Sequence, residues 1–365
     1  MGPLLAWRSV AECMQQNQQP LNSLCIVRLS AIGDVCHAVT TVQAIQRRLP
    51  DTKISWVVGR VEHALISDLP GIEFIVFDKQ RGMKAYLELR KRFSKEVSFD
   101  VLLQMQTSLR ANLVGGMIKA RRKIGFPYSR AKELHSLFVT EHLPETNAFH
   151  VLDMFQHFAG GIGISDCETA WNIPLPAYAV TQAEKWLGKN AHYVLICPSA
   201  SNTERNWLPD RYADIARHCH ARGLEVVLTG SPAEREIALA ADIENKAGIP
   251  MSNLAGQTDL KELLALCRGA RVVIGPDSGT LHMATTQGTP VVGLYAHSSP
   301  RRTGPYRDLH RVADAYTKAL ETGSADDKLP RWGYRLKGPS RMARISVDEV
   351  IQLIDGVLRD SSEPT

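Results

Sequence analysis

The chain has 365 residues, room for two ordinary domains, and its 44% hydrophobic and 22% charged residues are those of a globular protein. A fibrous or disordered chain is excluded, and no apolar run approaches the ~18 residues that would span a bilayer. The formal charge of +5 is too small to name a partner by itself.

The opening, MGPLLAWRSVAECMQQNQQP, breaks its short apolar stretch with Arg8 and Glu12. It lacks the charged front and long apolar middle of a signal peptide. Strand-like runs follow at 23–29 (SLCIVRL), 54–59, 73–78 and 99–105, with helical patterns at 35–49 and 83–97 between them. The second half repeats the arrangement. Its strands fall at 193–198, 225–230, 271–276 and 290–296, and its helices at 210–223, 232–248 and 260–269. None of these strands alternates with polar residues, so both faces are buried and the units are parallel β-α-β. The fold class is therefore α/β, with two doubly wound parallel-sheet domains, each carrying a ligand crevice at its strand carboxyl ends.

Pro174 and Pro176 place the domain boundary within 171–182. The expected division is 1–178, 179–345, and a final helix and tail at 346–365, with Ser346 and Glu349 at capping-box spacing. The stretch 297–344 is irregular and rich in Arg, Gly and Pro. Seven scattered cysteines, several inside apolar runs, suit free thiols in a reducing compartment, so a cytoplasmic location is expected.

Four strand–loop–helix junctions hold the polar residues that chemistry would need. In VRLSAIGDVCHA (27–38), Gly33 permits a tight turn and Asp34 is either a catalytic base facing the crevice or a helix cap. The Gly-x-Gly-x-x-Gly of a dinucleotide site is absent, which argues against a nucleotide-dependent oxidoreductase. In CPSASNTERNWLP (197–209), Ser199, Thr203 and Arg205 suit a diphosphate, Arg205 as a planar fork; a plain surface loop with a packed Trp207 is the alternative. In LTGSPAERE (228–236), Glu234 suits a ribose diol, or simply a helix start. In GPDSGTLHMA (275–284), helix-start amides with the Ser278 and Thr280 hydroxyls suit a phosphate, an ordinary strand-to-helix turn being the alternative. Asp277 would repel that phosphate, so it should order the loop or contact hydroxyls.

RLSAIGDV and GPDSGTLHMA, with the spacing of the other two junctions, resemble the family 9 glycosyltransferases, the lipopolysaccharide heptosyltransferases, over roughly residues 23–296. The resemblance implies a GT-B fold, in which two Rossmann-like domains face across a cleft. It also implies inverting, metal-independent transfer from ADP-heptose, a co-substrate rather than a bound cofactor. On this likeness Asp34 is the general base. The donor is held by Ser199, Thr203, Arg205 (often Lys in the family), Glu234, Asn253, Leu254, Asp277, Ser278, Gly279 and His282. No Asp-x-Asp pair and no His/Cys ligand spacing occurs, so fixed donors would have to stabilise the leaving diphosphate.

Residues 81–132 carry 13 Lys or Arg against 3 Asp or Glu, including RKR (90–92) and KARRK (119–123). Such a run is either a solvated face or a surface for an anionic glycolipid. Kdo carboxylates and lipid A phosphates would supply that anion, which gives Arg60, Lys79, Arg81, Lys84, Arg130, Lys132 and His150 as acceptor candidates. The expectation is heptose transfer to the Kdo region of Kdo-lipid A at the cytoplasmic face of the inner membrane. No nucleic acid and no transmembrane segment are expected. Addition of the second heptose, another nucleotide sugar, or a silent sugar-nucleotide binder are the rivals.

Overall fold

A computed structural model describes residues 20–94, 98–322, 332–338 and 340–360. The first half runs β1 (Ser23–Val27), α1 (Ile32–Arg48), β2 (Lys53–Gly59), α2 (Arg60–Ile66), β3 (Ile72–Phe77) and α3 (Met83–Ser94). It continues through β4 (Ser98–Gln104), α4 (Leu109–Met117), β5 (Lys119–Gly125), β6 (Glu141–His142) and α5 (Val151–Gly160). The second half runs α6 (Ala177–Leu187), β7 (Tyr193–Ile196), α7 (Pro209–Ala221), β8 (Glu225–Leu228), α8 (Glu234–Ala247) and β9 (Ser252–Asn253). It continues through α9 (Leu260–Gly269), β10 (Val272–Pro276), α10 (Gly279–Gln287), β11 (Val291–Tyr295) and α11 (Pro300–Thr303). It ends with β12 (Val312–Asp314), α12 (Ala315–Glu321) and α13 (Val347–Asp360).

Both sheets have six parallel strands, ordered β3-β2-β1-β4-β5-β6 and β12-β11-β10-β7-β8-β9. The order reverses at β1/β4 in one sheet and at β7/β10 in the other. A crevice forms at each reversal, because the connecting helices leave on opposite faces there. Their central strands are wholly buried, as the unbroken apolar runs require.

Four strands have weaker sequence signals. KARRK is the body of β5, whose cations alternate outward near the sheet edge while Ile124 points into the core. Arg122 pairs bidentately with Glu141 of β6 at 2.8 Å. β6, β9 and β12 are only two or three residues long, too short for periodicity. Six of the cysteines are free; Cys13 lies outside the described residues.

The two sheets are joined by helix packing. The starts of α1 and α10 meet across the boundary, with Val35 and Val39 in one apolar cluster with Leu281 and Met283. The contact is close enough to need glycine on both sides. A Cβ on Gly33 would fall 2.4 Å from the His282 ring, and one on Gly279 would fall 3.0 Å from Ile32 Cβ. The irregular stretch after β11 ties the halves together: His150 Nε2–H donates to the Gly304 carbonyl at 3.0 Å, Tyr306 hydroxyl to Asp153 at 2.7 Å, and Trp332 Nε1–H to the Phe149 carbonyl at 2.8 Å. α13 packs on the second sheet's layer through Val350, Ile354 and Val357.

Candidate active site

The carboxyl end of β1 presents a buried cation. Arg28 donates to the Met105 carbonyl at 2.7 Å, lies 5.1 Å from the Phe155 ring, and is ion-paired with Asp34. Asp34 sits in the first turn of α1 and also accepts the Ala31 N–H at 3.4 Å. It therefore does part of a cap's work while its side chain keeps 30% exposure. Arg28 fixes where the carboxylate points and leaves part of it open to solvent.

Across the boundary, Asp277 organises the loop between β10 and α10. Its carboxylate accepts from the Ser298 hydroxyl at 2.6 Å, the Thr303 hydroxyl at 3.4 Å and Arg205 at 3.4 Å. Burial alone would raise its pKa, but His282, Arg205 and Ser298 outweigh burial and hold it below the ordinary carboxylate value. This is the loop-ordering role expected for an acid beside a phosphate site. Ser278 stands at the N-cap of α10, and its buried hydroxyl has no hydrogen-bond partner among the described residues. The buried Ser199 hydroxyl after β7 is likewise unpartnered. Two buried hydroxyls thus stand without partners at adjacent strand ends, beside a helix start.

The irregular segment brings two cations that its sequence did not single out. Arg302 stacks 4.4 Å from the Trp332 ring and its Nε is buried without a partner. Burial pushes its pKa down, Asp34 and Asp277 pull it back, and Arg335 and Arg28 add repulsion. Arg335 lies in the same field, lowered by burial and by Arg205 and favoured by Asp277 and Asp34. Asp34 from one sheet and Asp277 from the other are thus ringed by Arg28, Arg205, Arg302 and Arg335. Four guanidiniums face Asp34, Asp277 and, beside Arg28, Glu62, which leaves a positive excess suited to an anionic ligand.

Other donor candidates are arranged less uniformly. Thr203 is exposed at the start of a single 3-10 turn that Asn202 caps. Glu234 is exposed at the first position of α8, while Glu236 accepts the Ser231 N–H at 2.8 Å and orders the turn. Asn253 donates to Glu244 at 2.8 Å and accepts from the Ala255 N–H, and Leu254 is buried. Trp207 packs inside and donates to the Ile345 carbonyl, so it is structural.

Among the acceptor candidates, Arg60 and Lys79 line a cavity of about 580 Å³ that opens beside Ser30, together with Glu62 and Arg110. Glu62 and Arg110 carried no motif in the sequence. Burial raises the Glu62 pKa, with Lys79 and Arg28 opposing. Arg81 pairs with Glu88 at 2.6 Å in a separate groove, and Lys84 is exposed on α3. Arg130 is turned inward, donating to the Thr146 and Ala148 carbonyls and lying 4.9 Å from the Trp332 ring. Lys132 is exposed, near Gly333.

His150 is a correction to its grouping with the acceptor cations. Its Nδ1 accepts the Leu152 N–H at 3.0 Å as the N-cap of α5, and its other nitrogen is taken by Gly304, so neither is free for a ligand. With His37 (5.1 Å between ring centroids), and with His37 4.6 Å from His282, it forms a buried edge-to-face cluster. Burial lowers the His150 pKa to about 4. His135, which accepts the Phe126 N–H and donates to Asn112, is also lowered to about 4 by burial.

Both histidines are neutral when folded and take up a proton near pH 6.5 when unfolded. Their stabilisation is therefore complete above pH 6.5 and is lost as pH falls from 6.5 toward 4. Between pH 7 and pH 5 the loss is about 2 kcal/mol for each. The thermal unfolding midpoint is expected to drop over that interval, and to drop less in His135→Gln. An equal midpoint at pH 7 and 5 would contradict the neutral assignment.

Among the described residues, no group of three or more His, Cys, Asp or Glu is placed to hold a metal ion. Residues 87–332 match the family described as glycosyltransferase family 9 (heptosyltransferase). The chain is 41% identical over 331 residues, 90% of its own length and 95% of the relative's, to the lipopolysaccharide core heptosyltransferase OpsX of Haemophilus influenzae. Two solved structures share its fold. The family 9 glycosyl transferase of Veillonella parvula matches with a TM-score of 0.77 at 20% identity, covering 94% of this chain and 99% of that one. The ADP-heptose LPS heptosyltransferase II of E. coli matches at 0.69 and 19%, covering 94% and 100%.

Proposed function

The chain belongs to glycosyltransferase family 9, with the two facing sheets of the GT-B fold, and we propose that it transfers heptose from ADP-heptose to the Kdo of inner-core lipopolysaccharide, with inversion and without a metal ion. The observation that carries this reading is the meeting of Asp34 with the arginine-ringed start of α10, across the α1/α10 contact. In this account the acceptor hydroxyl enters from the cavity lined by Ser30, Glu62, Lys79 and Arg110 and gives its proton to Asp34. Its oxygen bonds to the anomeric carbon on the face opposite the diphosphate. The bond from that carbon to the phosphate oxygen breaks, and its electron pair leaves with ADP.

Charge then develops on the leaving phosphate, and preorganised donors act most strongly where charge appears. Arg205, Arg302, the Ser199 and Ser278 hydroxyls and the α10 amides supply them. Glu234 takes the ribose, and the Asn253–Leu254 segment flanks the base. Arg60 and Lys79 hold the acceptor's acid groups, and Arg81, Lys84, Arg130 and Lys132 contribute to the surrounding positive field. Among the described residues no helix is long and apolar enough to cross a membrane. A peripheral position at the cytoplasmic face of the inner membrane fits a lipid-anchored acceptor. The test is to run the transfer in EDTA and read the anomeric configuration of the product by NMR. Inversion relative to the donor is expected; retention would exclude the in-line displacement at Asp34.

A further inference from the structure

The first domain carries an apolar surface beside the acceptor cavity that its core does not use. Met83 and Leu87, one turn apart on α3, are 72% and 58% exposed; Leu109 and Leu113, one turn apart on α4, are 44% and 40% exposed. Leu134 and Leu137, in the turn after β5, are 63% and 75% exposed. α3 and α4 touch, and the turn is fastened to α4. The Glu133 carboxylate accepts the Leu109 N–H at 2.5 Å, and Asn112 donates to the Glu133 carbonyl at 2.8 Å.

The turn is built at a cost. Glu133 and Leu134 both hold left-handed backbone, φ +51° and +63°, where side-chain residues are uncommon. An exposed leucine in that conformation is unfavourable twice over, in backbone and in hydration. The bonds to α4, together with those of His135 to Asn112 and Phe126, hold it there. Such over-determined strain presents a side chain rather than burying it.

Cations interleave with these leucines in the sequence: Lys84 lies between Met83 and Leu87, Arg110 follows Leu109, and Lys132 precedes the turn, while the neighbouring acids Glu88 and Glu133 are engaged by Arg81 and by the Leu109 N–H. Apolar side chains set among cations complement an anionic headgroup layer. A second copy of the same face would bring like charges together. Arg110 also lines the acceptor cavity, so the face and the cavity mouth share one helix.

We propose that the face made by α3, the start of α4 and the 132–137 turn seats the enzyme on a bilayer of anionic lipid, its leucines entering the headgroup layer. The inference deepens the proposed transfer to a lipid-anchored acceptor, yet its test needs no acceptor. The full chain would be floated with phosphatidylglycerol/phosphatidylethanolamine vesicles and with phosphatidylcholine vesicles, each free of lipopolysaccharide. The comparison is a Leu134→Asn/Leu137→Ser variant. Asparagine tolerates the left-handed position and both sites are exposed, so the thermal midpoint should be kept.

Wild type is expected to float with the anionic vesicles, and the variant to partition about tenfold less. Equal flotation of the two, no flotation of wild type, or a wild-type dimer that the variant dissociates would each overturn the proposal. Wild type that floats but transfers no heptose would instead overturn the transfer reading and leave this surface standing.

Discussion

Asp34→Asn is expected to lower kcat about a thousandfold, within the range a positioned general base supplies, while ADP-heptose binds with unchanged affinity. Asparagine is the informative replacement. It keeps an oxygen for Arg28 and for the Ala31 N–H while removing the carboxylate's charge and basicity. Asp34→Ala should show the same kinetic loss together with a lower thermal midpoint, because the buried Arg28 then loses its hydrogen-bond acceptor as well as its counter-charge. The carboxylates that line the cavity are Glu62 and Asp78, and Asp78 is paired with Arg60 at 3.2 Å. If Asp34→Asn turned over at near-normal rate and Glu62→Gln did not, the base would be Glu62.

Arg302→Met is expected to lower kcat/KM about a hundredfold, the loss usual when one preorganised donor to developing negative charge is removed. The side chain sits on Trp332 with its Nε unpaired, so methionine fills the same space without stranding a polar group. Folding stability should be unchanged or slightly higher. Arg302→Lys should recover only part of the rate, since a point charge cannot reproduce a fork held flat on an indole. Steady-state kinetics with a thermal melt checks both statements. A kcat/KM within threefold of wild type would remove Arg302 from the leaving-group site.

How far the sequence shows these features depends on what each feature is made of. The central strands are legible because burial on both faces demands unbroken apolar runs such as YVLICP, and α10 is legible because GPDSG marks its start. β5 is hidden because a strand near a sheet edge can carry outward cations, and KARRK reads as charge before it reads as strand. α2 and α4 are only seven and nine residues long, so their periodicity is brief.

The site divides in the same way. Asp34, Arg205 and Asp277 stand at strand ends, where topology alone places a crevice. Arg302 and Arg335 reach it from a stretch with little regular structure, and no spacing predicts that. Their one signal is the density of arginine around an isolated Trp332. His150 was misgrouped because a cap and a ligand use the same ring nitrogens; only the Leu152 and Gly304 bonds tell them apart.

The most direct test of the account is ADP release from ADP-heptose with and without Kdo-lipid A, in the presence of EDTA. Release that requires the acceptor and survives the chelator is the predicted result. Donor binding without acceptor-dependent release, or release abolished by EDTA and restored by a divalent metal, would contradict it.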